Sequence, residues 1–430
     1  MRRDQMPGSA DDRGVLRFLT CGSVDDGKST LIGRLLYDSK TLLSDTLATL
    51  EKHARRRGLS APDLSLLTDG LVAEREQGIT IDVAYRYFAT ARRKFIIGDS
   101  PGHVQYTRNM VTAASTADAA VLLVDARKAI TAQTRRHASI AGLLGVRHLI
   151  VAVNKMDLVD YSSALFESIA ADFRAWLEQQ PSLHVRTDYI PISALQGANV
   201  VERDQRLNWY RGPTLIELLE QAPAHEADAQ APLRLPVQWI CRPAQQDFRG
   251  YAGRIESGSL AVGDAIVVLP SGRTSRVAAI SVGEHPRDDA VAGQSVLVQL
   301  KDDIDISRGD LIAHADASTP ELRSTFTAIV CWLGQRALDP RREYLLRHGT
   351  RETRARIRQV AAHLDIETLA WHAGADAVEP NAIARLEVWT QHPIAADAYL
   401  ALRATGSFIL VDPAHFDTVA AGMIDWTLVS

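Results

Sequence analysis

Cysteine is scarce in this chain. Cys21, Cys241 and Cys331 are its only three, they lie far apart, and none has the close spacing of metal ligands. That argues against a disulfide framework or a cysteine-built zinc site, and it points to a cytoplasmic location. Long apolar runs are missing too. None approaches the roughly 18 residues a membrane-spanning helix needs, and the opening stretch MRRDQMPGSADDRG has no apolar segment behind it to serve as a signal-peptide core, so residues 1–14 read as a flexible tail. Neither sign of charge dominates: 48 Lys and Arg against 52 Asp and Glu leave a formal net charge of −4, so no chain-wide field draws the protein to nucleic acid. What remains is an ordinary globular composition, 46% hydrophobic and 23% charged, over 430 residues. At about 150 residues per domain that length suggests about three domains.

The most informative stretch is 16–30, LRFLTCGSVDDGKST. Leu16, Phe18 and Leu19 read as a buried strand, and Leu31, Ile32, Leu35 and Leu36 recur at helical spacing. Between them stands G-x-x-x-x-G-K-S: Gly22, Ser23, Val24, Asp25, Asp26, Gly27, Lys28 and Ser29, followed by Thr30. Two glycines let the backbone curl until successive N–H groups point inward, and the helix beginning near Lys28 adds the positive end of its dipole. Such a loop is built for phosphate oxygens. Lys28 is placed to reach the β and γ phosphates of a nucleotide, and the Ser29 hydroxyl suits Mg²⁺, a hard ion that takes oxygen ligands. A glycine-rich turn before an ordinary helix would share the pattern, but the strand–loop–helix setting argues against it.

Further motifs follow in order. Within the polar stretch 41–77, Arg55, Arg56 and Arg57 read as a solvated helix face. Thr80 heads an alternating strand, Ile81, Val83, Tyr85 and Tyr87 against Asp82, Ala84 and Arg86. A loop feeding a fixed strand can present a threonine hydroxyl to the metal when a γ-phosphate is bound and withdraw it afterwards. The apolar strand 94–97 runs into Asp99, Ser100, Pro101, Gly102 and His103. Asp99 suits Mg²⁺ through a water, the Gly102 N–H suits the γ-phosphate, and His103, directly after that sensor, is the candidate catalytic residue for orienting an attacking water. Strand 119–124, helix 131–144 and strand 149–153 lead to Asn154, Lys155, Met156 and Asp157. A carboxylate there accepts from guanine N1–H and N2, a donor pair adenine lacks. After a helix at 166–177, strand 189–192 ends in Ser193, Ala194 and Leu195, whose backbone can meet guanine O6.

Each motif follows a predicted strand, so all converge at the carboxyl edge of one mostly parallel sheet with helices on both faces. The expected fold is therefore an α/β P-loop GTPase domain over 15–226, with GTP and Mg²⁺ as its ligands. The small, polar, proline-bearing stretch 227–235 reads as a linker. Short alternating runs punctuated by glycines over 236–318 predict a β-barrel, and strand-like runs over 319–430 predict a second antiparallel barrel. Arg341, Arg342, Arg347, Arg351, Arg354, Arg356 and Arg358 make part of the latter basic, which allows RNA contact, an acidic partner face or solvated strand edges.

A GTP-binding domain followed by two barrels resembles the translation-factor superfamily, such as elongation factor Tu and elongation factor 1-alpha. Those factors usually carry histidines where Ser23 and Asp26 stand here. GSVDDGKSTLIGRLLYDSK, DGLVAEREQGITIDVAYRYF, DSPGHVQYTRNM and VNKMDLVDY look instead like the large, GTPase subunit of bacterial sulfate adenylyltransferase, as do EYLLRHGTR, ATGSFILVD and TVAAGMI in the third domain. The resemblance covers nearly the whole chain. It implies a heterodimer with a separate catalytic subunit that uses ATP and sulfate to form adenosine 5′-phosphosulfate and pyrophosphate, driven by GTP hydrolysis on the chain read here. It also implies an apolar gate of Val24 and Ile79 beside His103. Neither nucleic acid nor a membrane is expected as a partner; an elongation-factor-like GTPase that binds RNA is the alternative. Ser100, Gly98 and Leu402 depart from the family's usual threonine, alanine and asparagine, the first two being small residues without a required functional group. Some relatives carry a fused adenylylsulfate kinase, an activity not expected here because no second phosphate loop follows Thr30.

Overall fold

A computed structural model describes residues 14–39, 64–67, 84–100, 107–180, 183–224, 228–242, 248–365, 368, 370–374 and 377–426. The chain divides into two compact units, Met1–His225 and Glu226–Ser430.

In the first unit six strands are β1 (Val15–Cys21), β2 (Ala84–Ala89), β3 (Lys94–Asp99), β4 (Ala119–Asp125), β5 (His148–Asn154) and β6 (Arg186–Pro191). They lie in the order β2-β3-β1-β4-β5-β6, with β2 antiparallel to β3 and the rest parallel. All seven residues of β4 and of β5 are buried. A strand is apolar on both faces only when both are covered, as in a parallel sheet between helices. Those helices are α1 (Lys28–Asp38), α2 (Thr107–Ser115), α3 (Ala132–Leu143), α4 (Ser163–Glu178) and α5 (Leu215–Gln221). Their starts follow local rules: Ser162 accepts from the Leu165 N–H ahead of α4, and Thr214 and Glu217 form a reciprocal capping box ahead of α5.

The register carries the strand ends to one edge. Thr20 pairs with Asp99 across β1 and β3, and Asp125 with Asn154 across β4 and β5. Because β1 has β3 on one side and β4 on the other, the strand order reverses at β1, the place where a crevice opens beyond the carboxyl ends. The phosphate loop begins at that point. At the far edge of the sheet Tyr85 and Tyr87 face outward, 41% and 66% exposed, and Phe88 takes the inward place at 3%. β2 is an edge strand, and alternation alone does not say which of its faces is covered. Phe88 stacks on Phe95 with ring centroids 4.6 Å apart, and Phe18 meets both edge-on.

The second unit is antiparallel throughout its named strands. Its first sheet runs from Leu235–Pro236 through Leu311–His314, Ala265–Leu269, Arg273–Val282, Ser295–Leu300 and Gly250–Arg254 to Trp239–Cys241, around a core that includes Leu233, Leu235, Tyr251, Ile266 and Val298. Its second sheet closes on itself: Glu343–His348 pairs with both Ser407–Val411 and Arg351–Leu364, and Thr418–Asp425, Glu321–Trp332 and Ile383–Ala396 complete six strands. Buried and half-buried polar pairs join the two sheets. The Arg234 guanidinium, 4% exposed, donates to both Asp397 carboxylate oxygens at 2.9 Å, and the Thr405 hydroxyl donates to Asp397 at 2.6 Å. Arg351 reaches Asp310 at 3.2 Å, and the Thr350 hydroxyl donates to the Val237 carbonyl.

The arginines of the basic run stand mostly in ion pairs. Arg347 pairs with Glu352, Arg354 and Arg356 with Glu343, Arg358 with Glu387 and Arg342 with Asp412. Arg354 and Arg356 share Glu343 and Arg351 meets Asp310, so five acids face six of these arginines and offset much of the positive charge a polyanion would need. Among the described residues no helix is long and apolar enough to cross a membrane.

Candidate functional site

The loop from Gly22 to Ser29 leaves the end of β1 and enters α1 in a conformation only its sequence allows. Gly27, at φ 95°, is the helix N-cap, and a Cβ there would sit 2.5 Å from Asn154 Nδ2. A Cβ on Gly22 would meet the Leu123 carbonyl at 2.8 Å. Inside the loop Asp26 accepts from the Ser23 N–H at 2.7 Å, closing a three-residue turn. Lys28 is buried, and its Nζ donates to the Gly22 and Ser23 carbonyls at 3.0 Å each. Burial lowers its pKa, while the nearby Asp99 and Asp26 carboxylates work the other way. Burial in turn raises the pKa of Asp26. Val24, Ser29 and Thr30 are half-buried and Asp25 is exposed.

Asp99 ends β3 beside the loop, 3% exposed, and accepts from the Thr20 hydroxyl at 3.4 Å. Ser100 is fully buried and donates to the Thr20 carbonyl at 2.9 Å, so a small residue is what this position requires. A buried strand-end carboxylate and the Ser29 hydroxyl in the first turn of α1 are hard oxygen donors, the set that fits Mg²⁺. Among the described residues no group of three or more His, Cys, Asp or Glu gathers as a metal site. Thr80, Ile79, Pro101, Gly102 and His103 lie outside the described residues.

The motifs expected to read the base are fastened to the Gly22–Ser29 loop by their own side chains. Asn154 at the end of β5 donates from Nδ2 to the Asp26 carbonyl at 2.7 Å and accepts at Oδ1 from the Ala194 N–H at 2.9 Å. One amide therefore holds both loops. Lys155, at φ 62°, donates to the Asp25 carbonyl and lies 3.0 Å from Asp125. Asp157 is half-buried and accepts from the Ser193 hydroxyl at 2.6 Å, while Met156 is buried beneath it. Leu195 is exposed, with its carbonyl and that of Ala194 held by Arg34 of α1 at 2.5 and 3.2 Å.

Three contributors escape a reading by motif. Arg34 and Ala194 are 160 residues apart, and only the sheet order brings them together. Asp125 ends a wholly apolar strand at the same edge as Asp99 and Asn154, which was a usable signal. Burial opposes its ionisation, but hydrogen bonds from Arg127 and Lys155 outweigh that and hold its pKa well below the usual carboxylate range. The third is Thr131, whose hydroxyl meets that of Ser23 at 3.1 Å.

Comparison with known proteins gives the family. Residues 13–226 match the family described as "Elongation factor Tu GTP binding domain", and residues 325–425 match "GTP-eEF1A C-terminal domain-like". "Sulfate adenylyltransferase subunit 1" of Vibrio vulnificus is 50% identical over 420 residues, which are 97% of this chain and 87% of that one. The protein of the same name from Aeromonas salmonicida is 49% identical over 96% of this chain and 87% of its own length. The "Bifunctional enzyme CysN/CysC" of Mycobacterium tuberculosis is 50% identical over 95% of this chain and 67% of its own length. Identity near one half along nearly all of this chain and 87% of the two subunit 1 relatives places the protein in the sulfate adenylyltransferase subunit 1 family.

Proposed function

We propose that this chain is the GTP-hydrolysing subunit of a sulfate adenylyltransferase, and that hydrolysis of GTP here drives formation of adenosine 5′-phosphosulfate and pyrophosphate from ATP and sulfate on a separate catalytic subunit. The observation that carries the reading is the set of bonds through which Asn154 ties Asp26 of the phosphate loop to Ala194 of the base-reading loop, beside an Asp157 carboxylate held by Ser193. That frame offers guanine an acceptor for N1–H and N2 at a fixed distance from the phosphate cradle. The names of the relatives supply the sulfate chemistry. The RNA-binding alternative loses support from the same relatives and from arginines that mostly stand in ion pairs.

The residues divide the work. Lys28 and the N–H groups of 23–29 hold the β and γ phosphates, and Ser29 and Asp99 hold Mg²⁺, which neutralises charge on the phosphate oxygens when bound. Thr80 and the Gly102 N–H sense the γ-phosphate, and His103 orients the attacking water beside the gate of Val24 and Ile79. A nucleotide biases a complex only by its differential affinity for two states, so those γ-phosphate contacts are the source of coupling to the catalytic subunit.

The test is a paired assay of phosphate released from GTP and adenosine 5′-phosphosulfate formed, using this chain alone, with the catalytic subunit, and with a non-hydrolysable GTP analogue. Alone the chain is expected to hydrolyse GTP slowly and make no adenosine 5′-phosphosulfate; with the catalytic subunit both activities rise together. Full product yield with the analogue, or product formed by this chain alone, rejects the reading.

A further inference from the structure

Ser23 is one of the two loop positions that set this chain apart from elongation factors, and its side chain has a partner outside the loop. Its hydroxyl lies 3.1 Å from that of Thr131, 108 residues away in sequence. Thr131 is the N-cap of α3: its hydroxyl accepts from the Thr134 N–H at 3.1 Å, and the Thr134 hydroxyl accepts from the Thr131 N–H at 3.3 Å. The two threonine hydroxyls are themselves 2.9 Å apart. This reciprocal box fixes the cap, and Thr134 is fully buried, so the group that meets Ser23 is held rather than free to rotate.

The other end of the contact is just as constrained. Asp26 accepts from the Ser23 N–H, and Lys28 donates to the Ser23 carbonyl, so backbone and side chain of this one residue are fixed by three different partners. α3 packs on β4 and also on α2, the helix that begins directly behind the stretch bearing Gly102 and His103. His137, on the buried side of α3, feels the positive charge of Lys28, which joins burial in keeping it neutral. The helix therefore meets the phosphate loop at its N-cap and also packs on α2.

We propose that Thr131 is a positioning residue for GTP binding and hydrolysis, its hydroxyl tethering Ser23 so that the phosphate loop and α3 move as one piece. The idea rests on the reading of this domain as a GTPase. Thr131 touches no phosphate itself. It sets where the Ser23 and Val24 N–H groups stand when GTP arrives, and it passes a displacement of α2 through α3 to the loop, or the reverse.

The experiment measures release of N-methylanthraniloyl-GTP and -GDP from the full chain by stopped-flow fluorescence in the parent, Thr131→Val, Ser23→Ala, the double variant and Thr131→Ser. Each single variant is expected to release GTP about five-fold faster, the equivalent of one neutral hydrogen bond. The double variant is expected to be no faster than either single one, because both remove the same contact. Thr131→Ser keeps hydroxyl and cap and is expected to release at the parent rate. Thr131→Val also removes the helix cap and is expected to lower Tm, whereas Ser23→Ala leaves the cap and Tm unchanged, so the latter carries the test if the former fails to fold. Release from Ser23→Ala at the parent rate, or additive effects in the double variant, overturns the tether. A parent chain that binds no guanine nucleotide overturns instead the GTPase reading beneath it.

Discussion

Charged side chains are held in two opposite ways here: Lys28 and Asp157, proposed to meet the nucleotide, by neutral partners, and those that join the barrel sheets by opposite charge, as Asp125 of the first unit also is by Arg127 and Lys155. In the GTP-binding unit Lys28 is held by the neutral carbonyls of Gly22 and Ser23, and the Asp157 carboxylate by the neutral hydroxyl of Ser193. In the barrel unit Arg234 is gripped by Asp397 through two hydrogen bonds of 2.9 Å, and Asp397 is completed by Thr405. A neutral partner satisfies geometry without cancelling charge, so on the proposed reading the cation and the carboxylate keep their field for an incoming phosphate or base. A carboxylate opposite a guanidinium cancels it, and nothing is left for a ligand. On the proposed reading the charge of the partner separates Lys28 and Asp157 from Arg234, while Lys155, paired with Asp125, falls with Arg234.

The strongest break of this contrast is Asp157→Asn. If the carboxylate is reserved for guanine, its loss leaves N1–H and N2 without acceptors, and GTP is expected to bind roughly 10⁴-fold more weakly. Xanthosine triphosphate, whose extra carbonyl accepts from the new amide, is expected to gain. Tm is expected to stay near the parent value, since Ser193 still finds an oxygen on the new side chain. A competition titration that shows unchanged preference for GTP removes Asp157 from the base site.

Arg234→Ala is the opposite manipulation. It leaves Asp397 facing a buried gap, and breaking a pair of this kind costs about 3–5 kcal/mol. Urea unfolding of the barrel unit reports it. Replacement of both partners, Arg234→Met with Asp397→Leu, is expected to recover most of the loss, because the penalty lies in the uncompensated charge. A double variant as unstable as Arg234→Ala means that Arg234 is needed for its bonds to the Leu233 and Ser318 carbonyls and not for its charge.

Lys28→Ala sharpens the contrast from the other side. Loss of a charge-assisted contact with phosphate is expected to weaken GTP by about 100-fold or more. Stability is expected to hold, because the neighbours left behind are carbonyls and burial disfavours the lysine charge in the first place. Isothermal titration and a thermal melt on the same sample decide it; a large fall in Tm classes Lys28 with Arg234.

Much of the first unit was legible in its sequence because the chemistry sits at strand ends. Gly22, Asp99, Asn154 and Ser193 each follow an apolar run, and the parallel sheet carries such ends to one edge. The connections between motifs were not legible. Asn154 to Asp26 spans 128 residues, Arg34 to Leu195 161 and Ser23 to Thr131 108, separations at which nothing local records a contact. The same holds for the arginines of the last barrel. Their spacing announced a charged face, but the glutamates that match them stand on other strands, so the sequence left binding and mere solvation open. The outward tyrosines of β2 were not legible for a different reason: alternation reports two faces, and an edge strand need not bury the more apolar one.

The smallest expected effect concerns a group that neither binds nor pairs with a charge. His137 in α3 is 2% exposed, and burial, then the positive charges of Lys28 and Arg136, lower its pKa from 6.5 to about 3. Between those values the unfolded chain takes up a proton that the folded unit does not. The stability that His137 contributes is therefore complete above the unfolded value and is lost as pH falls through it, at up to about 1.4 kcal/mol per pH unit. His137→Leu removes this titration. Comparing parent and variant by urea unfolding of the GTP-binding unit at pH 7.5 and pH 5.5, the parent is expected to lose about 1.4 kcal/mol more than the variant between the two conditions. Parallel losses would show that the ring takes its proton without unfolding. In that case α3 opens far enough to hydrate a cation beside Lys28, and the helix is not the fixed support on which the Thr131 tether depends.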